Sequence, residues 1–522
     1  MSWRIYFLLT VLGLALAVGM ASLQPAPGYM DADYYYAGGL RLASGHGFSE
    51  MVLWNYLDDP SGLPHASHAY WMPLASLLAA AGIKVFGAGS WWGARAGFLL
   101  VAGCIPALTC GLAWSLTARR DLSVVSGLLA VFSGFYPPFL ITTDTFGLYM
   151  LLGGIFFLLL ANIKKSGLVP AGLGLVAGLM HLSRTEGLLW LGLAGLAIGL
   201  SSWKDRPLPV RKLLVSFGLV LAGYLLIMLP WFVRNEAAFD SLLAPGGSKM
   251  LWLTSYNQLF SYPADRLSFA GWWDSGLAAI LAARLWAGGM NLATLAGVQS
   301  NACLLPFMLA GLWALRSELR IRMSVLAWVL LFVVMTLVFP FAGARGGFYH
   351  SGAALQTVWW AVAPLGLDRA IDWAVRRRGW VKGQASRVFG SAFVMLSALL
   401  TVVIVLTRIL GLGGDPAWGA EAADYERVQA FLAGRGTQAD AVVMVSNPPG
   451  FYLASGHPAI ALPDGDPETL RAVADRYGAS VVILEAGSMP DGLIPIYENP
   501  QGWSGLTYLG EVGAARVFAI RK

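Results

Sequence analysis

The chain has 522 residues, of which 57% are hydrophobic and only 12% are charged, and its mean hydropathy is +0.63. A water-soluble protein of this length has no single core able to hide so much apolar side chain, so a soluble globular fold is excluded. The net charge is +6, but the basic residues fall between apolar runs, a pattern that orients a membrane protein and does not mark a nucleic-acid binder.

The first apolar run covers residues 3–23. It reads as an uncleaved first span, with a secretory signal as the alternative because small residues follow it. Arg4 places the N-terminus in the cytoplasm, so the chain after Leu23 emerges outside. Basic clusters follow at Arg119/Arg120, Lys164/Lys165, Lys204 to Lys212, Arg316 to Arg322 and Arg369 to Arg378. Keeping every cluster cytoplasmic requires spans near 94–117, 123–139, 145–162, 168–183, 187–201, 213–232, 299–315, 324–342, 352–367 and 388–411. With the first helix this predicts an all-α polytopic domain over 1–411 of about eleven spans, its C-terminal end outside.

The same parity keeps 69–87 out of the membrane, as a helix lying on the outer surface. The first external loop then runs over 24–90, and a second over 233–298. Loops this long are commonly functional. From 415 to 522 the composition changes to short apolar strands at 441–447, 457–463 and 480–486. Between the last two, Asp466 suits a helix N-cap, Pro467 the first helical position, and Leu470, Val473, Ala474 and Tyr477 one apolar face. A β-rich stretch closes the chain, which predicts a small extracytoplasmic α/β domain.

Cys104, Cys110 and Cys303 have neither metal-ligand nor disulfide spacing and read as packing residues. Trp71, Trp231, Trp359 and Trp360 read as belt or packing residues. The richest polar stretch is GYMDADYYYAGGLRLASGHGFSE, at the outer mouth of the first span. Asp31 and Asp33 have two readings there: carboxylates favouring a helix N-terminus, or a general base facing a cavity at the membrane surface. His65 and His68, in LPHASHAYW, lack a clear partner ligand and are weak evidence for a metal; they fall in an acceptor-facing loop.

Taken in order, these segments resemble the GT-C glycosyltransferases that use lipid-linked sugars, above all the family-39-like bacterial members. Those are related to protein O-mannosyltransferases and to the aminoarabinose transferase of lipid A. The shared pattern is Asp31-Ala-Asp33, then YWMPLASLLAAAGIKVFG, then Arg95. TTDTFG adds Asp144; HLSRTEGLLWL adds Arg184 and Glu186; PWFVRNEAAFD adds Arg234 and Asn235; YHSGAAL adds His350. The acidic motif departs from the usual Asp-Glu, since Ala32 intervenes, and leaves either aspartate as the base, with spacing favouring Asp31.

The resemblance implies a polyprenyl-phosphate sugar donor and a protein, lipid or glycan acceptor at the outer face of the plasma membrane. Asp31 or Asp33, with Asp144, would do the acid–base work. Arg184, Arg234 and Arg345 would face the anionic leaving group, whose charge arginine's planar fork suits. Each arginine also has the plainer reading of interface snorkelling, and Arg184 that of a salt bridge with Glu186. Some GT-C enzymes hold a divalent metal, which Asp31-x-Asp33 could carry here; the mannosyltransferase-like branch implies none. Two rivals stand beside the enzyme: a transporter or lipid flippase, against which count the long first loop and the lack of internal repeats, and a non-catalytic scaffold subunit.

Overall fold

The fold was obtained as a computed structural model, which describes residues 1–87, 89–163, 166–203 and 209–521. Lys164, Lys165 and the first part of the Lys204 to Lys212 cluster lie outside the described residues.

The chain is a multi-pass helical membrane protein with a small sheet domain at its C-terminal end. Helix α1 (Trp3–Ala21) is followed by α2 (Met30–Ala43) and α3 (Leu74–Phe86), both within the segment 24–90. Then come α4 (Trp91–Thr117), α5 (Arg120–Val131), a short α6 (Pro137–Leu140), α7 (Thr145–Leu160), α8 (Val169–Ser183), α9 (Leu188–Trp203) and α10 (Val210–Phe239). Beyond these lie helices Leu277–Thr294, Leu305–Ala314, Leu319–Val333, Phe348–Arg378 and Lys382–Ile404.

Six helices among the described residues are long and apolar enough to cross a membrane. They carry their apolar side chains outward: Leu214, Leu221, Leu226 and Leu229 of α10 are all exposed, as lipid-facing residues are. Helix α3 has 13 residues, a length of about 20 Å against a hydrocarbon layer of about 30 Å. It is shorter than a straight crossing needs.

Two segments differ from the sequence reading. The apolar run 123–139 is not one helix: α5 stops at Val131, Gly134 takes φ +65°, and Pro137 starts a new turn. The crossing expected at 299–315 contains only the ten-residue helix Leu305–Ala314. The long apolar helix is Leu277–Gln299, which includes a terminal π turn. Its Arg284, Asn291 and Gln299 interrupt the apolar pattern; Arg284 donates to Ile280 O of its own helix at 3.2 Å, while the side chains of the other two reach other elements. Asn291 donates to Thr336 at 3.0 Å, and Gln299 Oε1 accepts from Trp328 at 3.1 Å.

Helix Phe348–Arg378 is the axis of the membrane domain, buried almost without interruption from Phe348 to Asp368. A helix apolar on every side must be enclosed by others, and α4, α5, α7 and Leu305–Ala314 surround it. Small residues set the spacing. A β-carbon on Gly153 of α7 would stand 1.9 Å from the Ala354 carbonyl oxygen, so the two backbones touch directly.

The C-terminal domain is a mixed sheet of order β2-β5-β4-β6-β8-β7. β4 (Val442–Val445), β5 (Ala459–Ala461) and β6 (Ala479–Glu485) are parallel neighbours, and β7 (Leu506–Val512) and β8 (Ala515–Ile520) form an antiparallel hairpin beside β6. Asp466 caps helix Pro467–Tyr477 by accepting from Thr469 N at 2.8 Å, and the four apolar residues of its face are buried. Helix Ala420–Ala433 covers the opposite face.

One strand comes from outside 415–522. β2 (Val52–Leu53), from the segment 24–90, pairs in parallel with β5, Val52 opposite Ala459. Nearby, β1 (Ser49–Glu50) and β3 (His65–Ala66) form a separate antiparallel pair.

The Gly153 contact yields a direct test. Gly153→Leu should lower stability by about 1–3 kcal/mol through overpacking, read as a drop in the thermal unfolding temperature of the detergent-solubilised protein. Gly199→Ala on α9, with open space at its β-carbon position, should leave that temperature unchanged or slightly raised.

Candidate active site

Four segments meet at one end of the helical bundle: the first turn of α2, the turn before α7, the turn between α8 and α9, and the start of helix Phe348–Arg378. Each is polar chain between apolar helices. The turn before α7 is stapled to the segment 24–90 by two threonines, Thr142 donating to Pro27 O at 3.0 Å and Thr143 to Ala32 O at 2.7 Å.

Asp144 is the N-cap of α7 and is almost fully buried. Its Oδ1 accepts from Thr145 N at 2.5 Å, and its Oδ2 accepts from the Tyr29 hydroxyl at 2.5 Å and faces His350 Nε2 at 3.1 Å. His350 is presented by a kink. Gly346 takes φ +123°, which a side chain would strain, and its carbonyl accepts from His350 Nδ1 at 3.0 Å. A carbonyl only accepts, so Nδ1 carries a proton and Nε2 is turned toward the carboxylates. Asp31 Oδ2 lies 3.9 Å from the same Nε2. The Asp31 side chain is 29% exposed where that of Asp144 is 1%, so Asp31 is the carboxylate that an external molecule reaches. Burial, then the nearby Asp144 charge, raise the Asp31 carboxyl above the usual range.

Arg184 and Glu186 flank this group from the α8–α9 turn. Arg184 pairs with Glu186 through Nε, and its Nη1 donates to Thr145 at 3.5 Å. Glu186 Oε1 also accepts from Ser351 at 2.6 Å, tying the turn to the first turn of the His350 helix. Arg345 is exposed, 4.8 Å above the Tyr256 ring.

The structure thus gathers Asp31, Asp144, Arg184, Glu186 and His350. It places the other named residues elsewhere. Asp33 is buried on the opposite side of α2, where its Oδ2 accepts from Asn447 Nδ2 at 2.9 Å. Burial pushes its carboxyl up to about 8. Arg234 donates to the carbonyls of Ser67 at 2.6 Å and Phe48 at 3.2 Å, and Asn235 to Leu242 O at 3.2 Å, so both brace these segments. His68 is buried between Ser67 and Ser76, and burial pulls its imidazole down to about 3. His65 sits with Glu50, 3.1 Å from Oε1, and Asp58, 4.0 Å from Oδ2. Tyr29, Ser351 and Asn447 were not singled out in the sequence. Only Asn447 left a signal there, as a capping residue ahead of a Pro-Pro helix start.

One atom each from Asp31, Asp144 and His350 lie within 4.8 Å of one another, a set that could hold a metal ion. The donors fit a divalent cation with open positions, being two carboxylates and an imidazole already oriented through its other nitrogen. Asp33 is not part of this set, so Asp31-x-Asp33 is not a ligand pair.

No family model and no curated protein matches the sequence. Solved structures match its fold, and they define its class: this is a GT-C fold, as the motifs implied. One is the archaeal oligosaccharyltransferase AglB from Archaeoglobus fulgidus, in complex with an inhibitory peptide and a dolichol-phosphate. Its TM-score is 0.60 at 13% identity, covering 98% of this chain and 74% of that one. An Archaeoglobus fulgidus oligosaccharyltransferase in complex with Zn and sulfate aligns with TM-score 0.56 at 14% identity over 91% of this chain and 67% of that one. ArnT from Cupriavidus metallidurans, bound to undecaprenyl phosphate, aligns with TM-score 0.56 at 13% identity over 98% of this chain and 97% of that one.

His65 carries a pH prediction. Burial alone would pull its imidazole down, but Glu50 and Asp58 outweigh it and push the group up to about 9 from 6.5. A pKa raised on folding stabilises fully below the unfolded value and is lost as pH rises through the folded one. Thermal stability should therefore fall between pH 6.5 and 9, and His65→Gln should flatten part of that slope.

Proposed function

We propose that this chain is a membrane glycosyltransferase that moves a sugar from a polyprenyl-phosphate-linked donor to an acceptor at the outer face of the plasma membrane. The observation that carries this reading is the reachable Asp31 carboxylate, held opposite His350 and the buried Asp144 with Arg184 alongside. The fold neighbours support the donor class, since one is bound to a dolichol-phosphate and another to undecaprenyl phosphate. The basic clusters between spans support a cytoplasmic N-terminus and an extracytoplasmic C-terminal domain.

In this mechanism Asp31 takes the proton from the acceptor hydroxyl or amine. The freed lone pair attacks the anomeric carbon, and the bond from that carbon to the phosphate oxygen breaks, its electrons leaving with the lipid phosphate. A carboxyl raised by burial holds the transferred proton better than one in water, which suits a base working near neutrality. Arg184, beside this group, supplies positive charge to the leaving phosphate. Asp144 acts behind Asp31 by fixing His350.

Asp31→Asn should lower the transfer rate by about 10²–10⁴-fold while leaving binding of the lipid phosphate nearly unchanged, measured with a radiolabelled polyprenyl-phosphate sugar in nanodiscs. Wild-type turnover in that variant would remove Asp31 as the base, and absence of transfer by the wild-type protein would favour the scaffold reading. Transport of labelled lipid into sealed vesicles without transfer would favour a flippase.

A second reading is favoured by the ligand set of Asp31, Asp144 and His350. A divalent cation bound there would supply Lewis-acid polarisation of an acceptor or phosphate oxygen. Metal analysis of the purified protein separates the two. The metal-free mechanism expects no stoichiometric metal and full transfer in excess chelator. The cation reading expects about one equivalent, lost with activity on chelation and in His350→Ala.

A further inference from the structure

The sheet domain touches the candidate site at one place, the first turn of α2, and it grips that turn from two sides. Asp31 and Asp33 are two residues apart on a helix, so their side chains leave on opposite faces. Asp31 faces His350, and Asp33 faces helix Pro448–Ser455 of the C-terminal domain.

The contact is built closely. Asn447 uses all its hydrogen-bonding groups there. Its Nδ2 donates to Asp33 Oδ2 at 2.9 Å and to Glu421 Oε2 at 3.0 Å, and its Oδ1 accepts from Gly450 N at 3.0 Å as the N-cap of Pro448–Ser455. A β-carbon on Gly450 would stand 2.9 Å from Asp33 Oδ2, so the helix end lies directly on the carboxylate. Among the described residues no lysine or arginine pairs with Asp33.

The second grip is Trp418. Its Nε1 donates to Ala26 O at 3.0 Å, and its ring meets Tyr29 edge-on at 5.8 Å. Gly28 takes φ +99°, and a β-carbon there would collide with the indole. Tyr29 is the residue before α2 and the one whose hydroxyl binds Asp144. No side chain caps α2 at its own N-terminus, and a helix of 14 residues is marginal without tertiary support. A buried carboxylate–amide pair adds little stability over an apolar pair of the same shape; what it fixes is a unique arrangement.

We propose that the C-terminal domain completes the catalytic apparatus, with Asn447 as a positioning residue that acts through Asp33 to hold Asp31 against His350. This rests on the reading of Asp31 as the base. The sheet domain is then a brace whose seating sets the rate of transfer.

The full-length protein in nanodiscs tests it. Asn447→Leu should reduce kcat by about 10²-fold, the cost of displacing a catalytic group by about 1 Å, with KM for the polyprenyl-phosphate sugar unchanged. The exchanged pair Asp33→Asn with Asn447→Asp reverses donor and acceptor; made together with Glu421→Gln, so that no second carboxylate faces position 447, it should recover most of that loss. Trp418→Phe keeps the ring but drops the hydrogen bond to Ala26, and should lower kcat by a smaller factor. Wild-type kcat in Asn447→Leu overturns the proposal, and so does failure of the exchanged pair to restore turnover. Asp31→Asn separates the two claims: if it is inactive while Asn447→Leu is fully active, the base stands and the brace falls; if it is fully active, the base itself falls.

Discussion

A carboxylate can be buried at the edge of a membrane domain only if enough donors surround it, because desolvation otherwise drives it to protonate or the chain to rearrange. Asp144 meets that condition with Tyr29, Thr145 and His350. These groups come from the residue that precedes α2, from its own helix and from the buried axial helix. This end of the bundle is organised by the need to satisfy this one group. Asp31 stands in front of it, exposed enough to be reached and close enough to feel its charge.

The apolar packing beneath makes that arrangement reproducible. Asp144 and His350 open two helices, α7 and Phe348–Arg378, whose backbones touch at Gly153 and Ala354. A contact between backbones has no side chain that can rotate to absorb a shift. The separation of the two polar residues is thus inherited from the approach of the helices below them. The α8–α9 turn is fastened to the same axial helix by Glu186 and Ser351, which fixes Arg184 relative to His350.

The sequence disclosed those parts of the molecule in which chemistry and local pattern coincide. Spans such as α1, α4 and α10 are long apolar runs between basic clusters, and the strands and capped helix of the C-terminal domain follow ordinary periodicity. Asp31, Asp144, Arg184, Glu186 and His350 stood out because ionisable groups are costly at membrane level. The break after Val131 did not, since lipid and protein neighbours demand apolar residues whether or not the backbone is helical. Leu277–Gln299 was obscured by polar residues whose partners are distant in sequence. The division between Asp31 and Asp33 turned on which face of α2 met which neighbour, and the neighbour of Asp33 lies 414 positions away. The sequence marks Asn447 only as a helix cap, because its contacts with Asp33 and Glu421 are tertiary.

The pairing of β2 with β5 bears on the order of biosynthesis. The Tyr56 hydroxyl and the Ala461 carbonyl that join these regions are 405 positions apart, so the segment that carries β2 is synthesised long before its partner strand exists. During that interval the short strand has an unsatisfied edge. Only when β5 has been made does this segment acquire its permanent neighbour, so the sheet cannot be completed while the helices are being threaded.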